Sequence, residues 1–164
     1  MVELDLNFKN IMTDVDTADQ EKATDGAGGT APAGDGSLRA KALQTGVKLG
    51  GTHYQWGGNT PQSGLDCTGF VDWCYTQAGM PIPGRLQSHA LRANPSQFNL
   101  VEVPWNERQP GDILWQNGHC AMQYYNGQIL ESGGTSKQKL GYSGVAITSG
   151  NGRRFCKAYR YKGT

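Results

Sequence analysis

The stretch that decides the fold of this 164-residue chain is LDCTGFVDWCY, residues 65–75. Apolar side chains recur at helical spacing after Gly69, and Gly79 ends the pattern, so the stretch predicts a helix with one buried face. Asp66 stands at the N-cap position of this helix, which places Cys67 in its first turn. Backbone N–H groups without an intrahelical partner, and the positive end of the helix dipole, point at that turn. The predicted buried face consists of Phe70, Val71, Cys74, Tyr75 and Ala78.

The position of Cys67 favours its thiolate form, but the helix end alone does not ionise it. An ordinary thiol, with a pKa near ~8.5, is about 3% ionised at pH 7. A helix N-terminus contributes about 0.3–1 kcal/mol, or about 2 kcal/mol at best, which lowers the pKa by roughly one unit. A reactive Cys67 therefore needs an adjacent base, as in Cys–His pairs. Without a base, Cys67 is a small buried side chain at a helix start.

The composition is that of one folded domain with a substantial core. No apolar run reaches 18 residues, the length that a membrane-spanning helix needs, so we expect no membrane partner. Residues 1–6 lack the basic and apolar regions of a signal peptide. We therefore expect either another export device or an origin inside a longer chain.

Charge divides the chain into two parts near residue 36. Residues 1–36 hold eight acidic and two basic side chains, which leaves six acidic and 13 basic ones for residues 37–164. Gly, Ala and Pro dominate residues 23–36, so we predict an acidic segment with a flexible linker over 1–36 and one domain over 37–164. The basic domain favours an anionic partner. Nucleic acid is not expected, because no nucleic-acid recognition motif accompanies the charge.

Helices are predicted in the first half of the domain and short strands in the second. Ser37 is a favourable N-cap for a helix over Leu38–Leu49, and a short helix over Leu86–Ala93 must end before Pro95. This order predicts an α+β fold in which N-terminal helices pack on an antiparallel sheet. The predicted strands are Leu100–Val103, Ile113–Gln116, His119–Tyr125, Gln128–Ser132, Val145–Thr148 and Phe155–Tyr161.

Three histidines are candidates for the base beside Cys67. His53 and His89 lie in loop and helix-end contexts typical of surface residues. His119 begins a strand, so its ring can lie at the rim of the sheet. A lone histidine is more often structural than functional, but the need for a base favours His119 over the other two.

An Asn-Gly turn joins the third and fourth predicted strands into a hairpin. A two-residue loop would turn Glu131 away from His119. A three-residue loop over 125–127, with Gly127 left-handed, pairs Glu131 with Ala121 and puts its carboxylate on the face of His119. We predict the three-residue loop, so Glu131 can orient the imidazole; a solvated surface charge is the alternative for Glu131.

The four cysteines do not predict a disulfide framework. A Cys67–Cys74 bridge is excluded if both lie on one helix, because seven residues at ~1.5 Å separate them by about 10 Å. In the predicted hairpin register, Cys120 points away from His119, into packing. A zinc site of Cys67 and His119 with Cys120 or Cys156 is an alternative that this alternation disfavours, so we expect no metal.

The ordered set of motifs over roughly residues 38–161 resembles the NlpC/P60 family of cysteine peptidases, which cleave peptidoglycan stem peptides. Three departures from the family pattern are Thr68 where Ser is usual, Cys120-Ala121-Met122 where Val-Gly-Ile is common, and an uncommon Glu131. The matching pieces are Tyr54-x-Trp56-Gly57-Gly58, Asp66-Cys67-Thr68-Gly69-Phe70-Val71, Arg85 with Gln87, Pro110-Gly111-Asp112, His119 and Asn126-Gly127.

The resemblance implies a papain-like α+β fold with Cys67 as nucleophile, His119 as base and Glu131 as the orienting residue. It implies further that Tyr54 lines the cleft and that Asp66 lies near the amino end of the substrate. Without the resemblance, the loop at residues 52–61 is either a turn with packed aromatic side chains or a cleft wall facing Cys67. The predicted substrate-binding residues are Tyr54, Trp56, Asp66, Thr68 and Arg85.

The activity that the resemblance implies is cleavage of the amide bond between D-glutamate and a diamino acid, without a cofactor. The expected partner is bacterial peptidoglycan, and the expected place of action is the cell wall, extracellular or virion-associated. Residues 1–36 are then expected to contact a phage tail or a larger parent protein. The alternatives are a CHAP-like N-acetylmuramoyl-L-alanine amidase or cross-bridge endopeptidase, and a catalytically inactive wall-binding module.

Overall fold

The computed structural model describes residues 36–133, 144–150 and 152–164. The predicted acidic segment and linker lie outside the described residues, except for Gly36. The helices are α1 (Gly36–Lys48), α2 (Cys67–Gln77) and α3 (Ser88–Leu91). The strands are β1 (Asn59–Thr60), β2 (Gly64–Leu65), β3 (Leu100–Val103), β4 (Ile113–Gln116), β5 (His119–Gln123), β6 (Ile129–Gly133), β7 (Gly144–Thr148) and β8 (Lys157–Tyr161). Single 3-10 turns lie at Pro95–Phe98, Trp105–Glu107 and Tyr125–Gly127.

Six strands form one antiparallel sheet in the order β3-β8-β4-β5-β6-β7. Helix α2 packs against α1 and against strands β5 and β6, so the main core lies between the helices and one face of the sheet. The predicted α+β architecture, with N-terminal helices on an antiparallel sheet, is confirmed. None of the helices among the described residues has the length and apolar character to cross a membrane.

Helix α2 forms as its sequence predicts. The side chain of Asp66 caps it by accepting a hydrogen bond from the backbone N–H of Gly69 at 2.7 Å. Cys67 is the first residue of the helix, and Gly79 follows its end with a φ of +91°. All five residues of the predicted apolar face are buried in the core. The burial of this face and the cap at Asp66 together fix the first turn of α2 against the sheet.

The other helices differ from the prediction at their ends. Helix α1 begins at Gly36, so Ser37 lies inside its first turn and is not the N-cap. The short helix predicted over Leu86–Ala93 is limited to Ser88–Leu91, and it ends before Pro95 as expected. The two-residue strands β1 and β2 were not predicted: β1 lies within the segment 52–61 that was predicted to be a loop, and β2 follows it.

The hairpin of β5 and β6 has the predicted register. Met122 pairs with Leu130 and Gln123 with Ile129, which puts Ala121 opposite Glu131 one residue further along. The loop spans residues 125–127, and Gly127 is left-handed. Asn126 is left-handed as well, which was not predicted; Asn tolerates this conformation better than most residues. The parity argument that put Glu131 on the face of His119 is confirmed.

A buried carboxylate, Asp112, ties the helical layer to the sheet. It is 0% exposed and accepts hydrogen bonds from Arg39 of α1, from Arg160 of β8 and from the backbone of Gln109. The hydroxyl of Tyr75, on α2, donates to the adjacent carbonyl of Gly111. The Pro-Gly-Asp motif therefore has a structural role, since a buried carboxyl group is tolerated only when its oxygens have hydrogen-bond or ionic partners.

Candidate active site

Cys67 lies at the N-terminus of α2, where a close contact between two backbone segments fixes its position. It is 9% exposed. A side chain at Gly69 would lie 2.1 Å from the carbonyl oxygen of Gly58, and that oxygen accepts the backbone N–H of Asp66. Only glycine at position 69 lets the helix start approach the loop this closely. The close approach of Gly69 to Gly58 therefore holds the first turn of α2 against the loop before β1.

His119 lies at the start of β5 with its ring between several neighbours. Its Nε2 is 2.5 Å from Oε2 of Glu131, whose side chain is fully buried. The ring of Phe155 stacks on it, with centroids 5.9 Å apart and an interplanar angle of 28°. His119 and the Cys67 thiol are close enough that hydrogen bonding and charge from each shift the pKa of the other. Because Nε2 is engaged by Glu131, we expect Nδ1 to face the sulfur.

The thiol of Cys67 is strongly acidified in this setting. Its pKa is lowered to about 5. The largest cause is a hydrogen bond from the Cys120 side chain; burial opposes it, and hydrogen bonding and charge attraction from His119 add to it. The backbone N–H of Cys120 lowers the pKa further. Cys67 therefore carries a thiolate at neutral pH.

The pKa of His119 moves in the opposite direction. Burial lowers it, but hydrogen bonds to Cys67 and Glu131 and the negative charges of both outweigh burial, so the net shift is above the ordinary 6.5. A lowered thiol pKa and a raised imidazole pKa describe a thiolate–imidazolium pair. The pair exists between about pH 5, where Cys67 loses its proton, and the raised pKa of His119, where the imidazolium loses its own.

The predicted position of Cys120, away from His119 and in the packed core, is confirmed, but its contact with Cys67 was not predicted. It does point to the face opposite Ala121 and is fully buried in the main core. That face, however, is the one that α2 covers, so the Cys120 thiol meets Cys67 instead of apolar packing alone. Its own pKa is raised well above the ordinary value, first by the hydrogen bond to Cys67 and then by burial. Cys120 thus keeps its proton and shares it with the Cys67 sulfur.

The loop before β1 brings two predicted residues to the rim of the site. Tyr54 is partly buried, and its pKa is raised to about 12 by burial and then by the negative charges of Cys67 and Asp66. Trp56 is 84% exposed, which is unusual for a large apolar side chain. A large apolar ring left in water is available for contact with a bound molecule.

Asp66 forms hydrogen bonds with the other two predicted substrate-binding residues, Thr68 and Arg85. Its Oδ1 accepts from the backbone of Gly69 and the hydroxyl of Thr68, and its Oδ2 accepts from the backbone of Gly57 and from Arg85 at 3.0 Å. A carboxylate has about four acceptor positions, and all four are in use. A substrate ammonium group would have to displace one donor, and Arg85, with a side chain 39% exposed, is the most accessible of them.

The other two histidines lie at the surface, as predicted. The ring of His53 hydrogen-bonds with the carbonyl of Ser63 at 3.1 Å, and His89 is an exposed residue of α3. Within the described ranges, no three His, Cys, Asp or Glu side chains are grouped in a way that could hold a metal ion.

The family model described as "NlpC/P60 family" matches residues 51–159, well over half of the chain. The chain belongs to the NlpC/P60 family. The matched range contains Cys67, His119 and Glu131, together with the segments that carry Gly58 and Gly69.

Relatives with curated names match parts of this NlpC/P60 chain. A probable endopeptidase of Mycobacterium tuberculosis is 36% identical over 83 residues, which are 51% of this chain and 20% of the relative. The bifunctional muramidase/DL-endopeptidase CwlT of Bacillus subtilis is 28% identical over 113 residues, 69% of this chain and 27% of CwlT. The chain thus spans about a fifth to a quarter of the length of these relatives.

Solved structures share the fold. The NlpC/p60 domain of the peptidoglycan hydrolase SagA superposes with a TM-score of 0.59 at 24% identity, covering 74% of this chain and 97% of that domain. The peptidoglycan hydrolase RipB of Mycobacterium tuberculosis gives a TM-score of 0.59 at 18% identity, covering 97% of this chain and 84% of RipB. At these identities the likeness establishes the NlpC/P60 fold.

Two residues that contact the site of this NlpC/P60 domain were not anticipated. Arg153 and Phe155 come from the connection between β7 and β8 and contact Glu131 and His119, respectively. No local sequence pattern predicts these two contacts, because each residue is more than 20 positions from its partner along the chain. Only the closing of the sheet brings this connection to the start of β5.

Replacing Cys120 tests the acidification of Cys67 directly. Cys120→Val removes the donor with little change in shape. We expect the Cys67 pKa to rise by roughly one unit, because a hydrogen bond to a charged group contributes about 1.5–3 kcal/mol and S–H is a weak donor. The pH dependence of iodoacetamide alkylation measures this shift, in a Cys156→Ser background that removes the exposed thiol.

The matched control is Cys120→Ser, which keeps a side-chain donor. The midpoint of alkylation should stay near that of the parent in Cys120→Ser and move to higher pH in Cys120→Val. Equal midpoints in the parent and in Cys120→Val would show that the Cys120 thiol does not acidify Cys67.

Proposed function

We propose that this chain is a peptidoglycan hydrolase domain that cleaves the amide bond between D-glutamate and a diamino acid of the stem peptide. The observation that carries the proposal is the buried set of Cys67, His119 and Glu131, in which the thiol pKa is lowered to about 5. A lowered thiol pKa next to an imidazole is the requirement for cysteine nucleophiles. Membership of the NlpC/P60 family supports the same chemistry.

The names of the relatives support the choice of substrate. One is a muramidase/DL-endopeptidase of Bacillus subtilis, another is a peptidoglycan DL-endopeptidase of Bacillus licheniformis, and SagA and RipB are peptidoglycan hydrolases. We infer action at the bacterial cell wall from these names. An extracellular or virion-associated setting, and a contact between residues 1–36 and a phage tail or parent protein, remain predictions, since residues 1–35 lie outside the described ranges.

The proposed reaction is acyl transfer through the thiolate. The Cys67 sulfur attacks the D-glutamyl carbonyl carbon, and the carbonyl oxygen takes the negative charge of the tetrahedral intermediate. The backbone N–H of Cys67 belongs to the first turn of α2, whose N–H groups have no intrahelical partner, and it can donate to that oxygen. The imidazolium of His119 then gives its proton to the leaving amine of the diamino acid, and the C–N bond breaks.

The second half of the reaction restores the enzyme. Neutral His119 takes a proton from water, whose oxygen attacks the thioester carbon, and the carbon–sulfur bond breaks to release the D-glutamyl carboxylate and the Cys67 thiolate. Glu131 holds the ring through Nε2 during both proton transfers. Tyr54 and Trp56 form the wall along which we place the stem peptide, and Asp66, Thr68 and Arg85 form its end near the substrate's amino group.

The test is digestion of purified cell walls of defined stem type, with the fragments identified by mass. We expect stems that end in D-glutamate and new amino groups on the diamino acid. A new amino group on L-alanine would mean an amidase, and one on a cross-bridge residue would mean a cross-bridge endopeptidase; either result contradicts the proposed bond. Wall binding without any new amino group would mean a binding module.

A further inference from the structure

A second cation contacts the buried carboxylate that holds His119. The Nε of Arg153 lies 2.9 Å from Oε2 of Glu131, the same oxygen that lies 2.5 Å from Nε2 of His119. The Glu131 side chain is 0% exposed and that of Arg153 is 11% exposed. One carboxylate oxygen is therefore shared between an imidazole and a guanidinium in a site with little water.

The segment that carries Arg153 is fixed at several points. The backbone N–H of Arg153 donates to the carbonyl of Gly150, that of Arg154 donates to the side chain of Gln116, and that of Cys156 donates to the carbonyl of Trp115. Arg153 and Phe155 face the site, whereas Arg154 is exposed. The guanidinium is thus held in place by the fold and is not a freely moving surface charge.

A guanidinium at this oxygen changes what the carboxylate does to His119. A buried carboxylate with an imidazolium as its main partner would compete for the imidazolium proton, because its charge is poorly solvated. Arginine remains protonated in proteins and supplies a permanent positive charge. With that charge in place Glu131 accepts the Nε2–H hydrogen bond without removing the proton, so the imidazolium persists beside Cys67.

We propose that Arg153 is a positioning residue of this site, which acts on His119 through Glu131. It keeps the Glu131 carboxylate ionised and directed at Nε2, and so leaves the other ring nitrogen of His119 facing the Cys67 sulfur. The charged or titratable groups that face Glu131 from the packed elements include His119 of β5 and Arg153, with Cys67 beyond the imidazole. The kinetic consequence of this proposal rests on the proposed function, but the effect on His119 and Cys67 does not.

The test compares Arg153→Ala and Arg153→Gln with Arg153→Lys in the parent chain. Nitrogen-15 NMR of labelled histidine is simple here, since the chain has three histidines. We expect the His119 signals to move toward those of a neutral ring in Arg153→Ala and Arg153→Gln, with His53 and His89 unchanged. The midpoint of Cys67 alkylation should rise by roughly one pH unit, because the thiolate loses its cation. Arg153→Lys should restore most of both effects.

The matched control is Arg154→Ala, which removes an equal charge from the same segment and should leave both readouts unchanged. Thermal melting identifies any variant that fails to fold. If Arg153→Ala fails to fold, Arg153→Gln provides the test, because it retains a donor and most of the side-chain volume. Because Arg153 acts through Glu131, its loss should add little in a Glu131→Gln background. Unchanged His119 signals and alkylation midpoint in folded Arg153→Gln, or full additivity with Glu131→Gln, would overturn the proposal.

Wall hydrolysis gives a third readout. We expect kcat to fall by roughly ten- to a hundredfold in Arg153→Ala with little change in KM, as when an outer partner of a functional side chain is lost. A parent chain that cleaves no wall would refute the proposed function, while the NMR and alkylation experiments would still decide the role of Arg153.

Discussion

Cys67→Ala is expected to lower the rate of wall hydrolysis by at least about 10⁴-fold while the domain stays folded. The loss follows from the proposed reaction, because Cys67 is the thiol that interacts with His119, and the pKa values of the buried Cys74 and Cys120 are raised. The fold should persist, since the core face of α2 is formed by larger side chains and the cap at Asp66 is untouched. Release of amino groups from purified walls measures the rate, and thermal melting checks the fold.

The control for this substitution is Cys156→Ser, which changes an exposed thiol away from the core. Its rate should stay within about twofold of the parent, as for most surface substitutions. Retained turnover in Cys67→Ala would refute the thiolate mechanism. If the parent itself hydrolyses nothing and Cys67→Ala binds walls as well as the parent does, the domain is a binding module on a peptidase scaffold.

Much of the site could be predicted because it depends on short-range patterns. The cap at Asp66 and the apolar spacing after Gly69 define the start of α2 without any tertiary information. The alternation of strand residues, together with one decision on loop length, put Glu131 beside His119. In both cases a local rule sets the direction of a side chain, and the buried core then preserves it.

The missed contacts depend on which elements pack together. Strand alternation correctly turned Cys120 away from Ala121, but it does not say that α2 covers that face and brings Cys67 to the thiol. Arg153 reaches Glu131 only because the connection before β8 returns to the sheet beside β5. Likewise, the loop before β1 meets the start of α2 where Gly58 approaches Gly69, a contact between separate segments.

His119→Ala is expected to lower wall hydrolysis by about 10³-fold, within the range for loss of a general acid–base residue. Two effects combine. The Cys67 thiolate loses its cation, so at mildly acidic pH less of the thiol is ionised, and the leaving amine loses its proton donor. In this variant the buried Glu131 carboxylate keeps its ion pair with Arg153 but loses its hydrogen bond with the imidazole. Because the thiol keeps its bond to Cys120, the alkylation midpoint should rise without returning fully to that of an ordinary cysteine.

The matched controls for His119→Ala are the two surface histidines. His89→Ala removes an exposed ring from α3, and His53→Ala removes a ring whose hydrogen-bond partner is the carbonyl of Ser63. Both should keep the pH profile of the parent and most of its activity. If His53→Ala or His89→Ala were as inactive as His119→Ala, or if His119→Ala kept the parent's rate, the imidazole at the start of β5 would not be the base. The thiolate–imidazolium pair predicts a rate that rises as Cys67 ionises near pH 5 and falls as His119 loses its proton at higher pH. If His119 were not the base, another group would have to account for the fall at high pH.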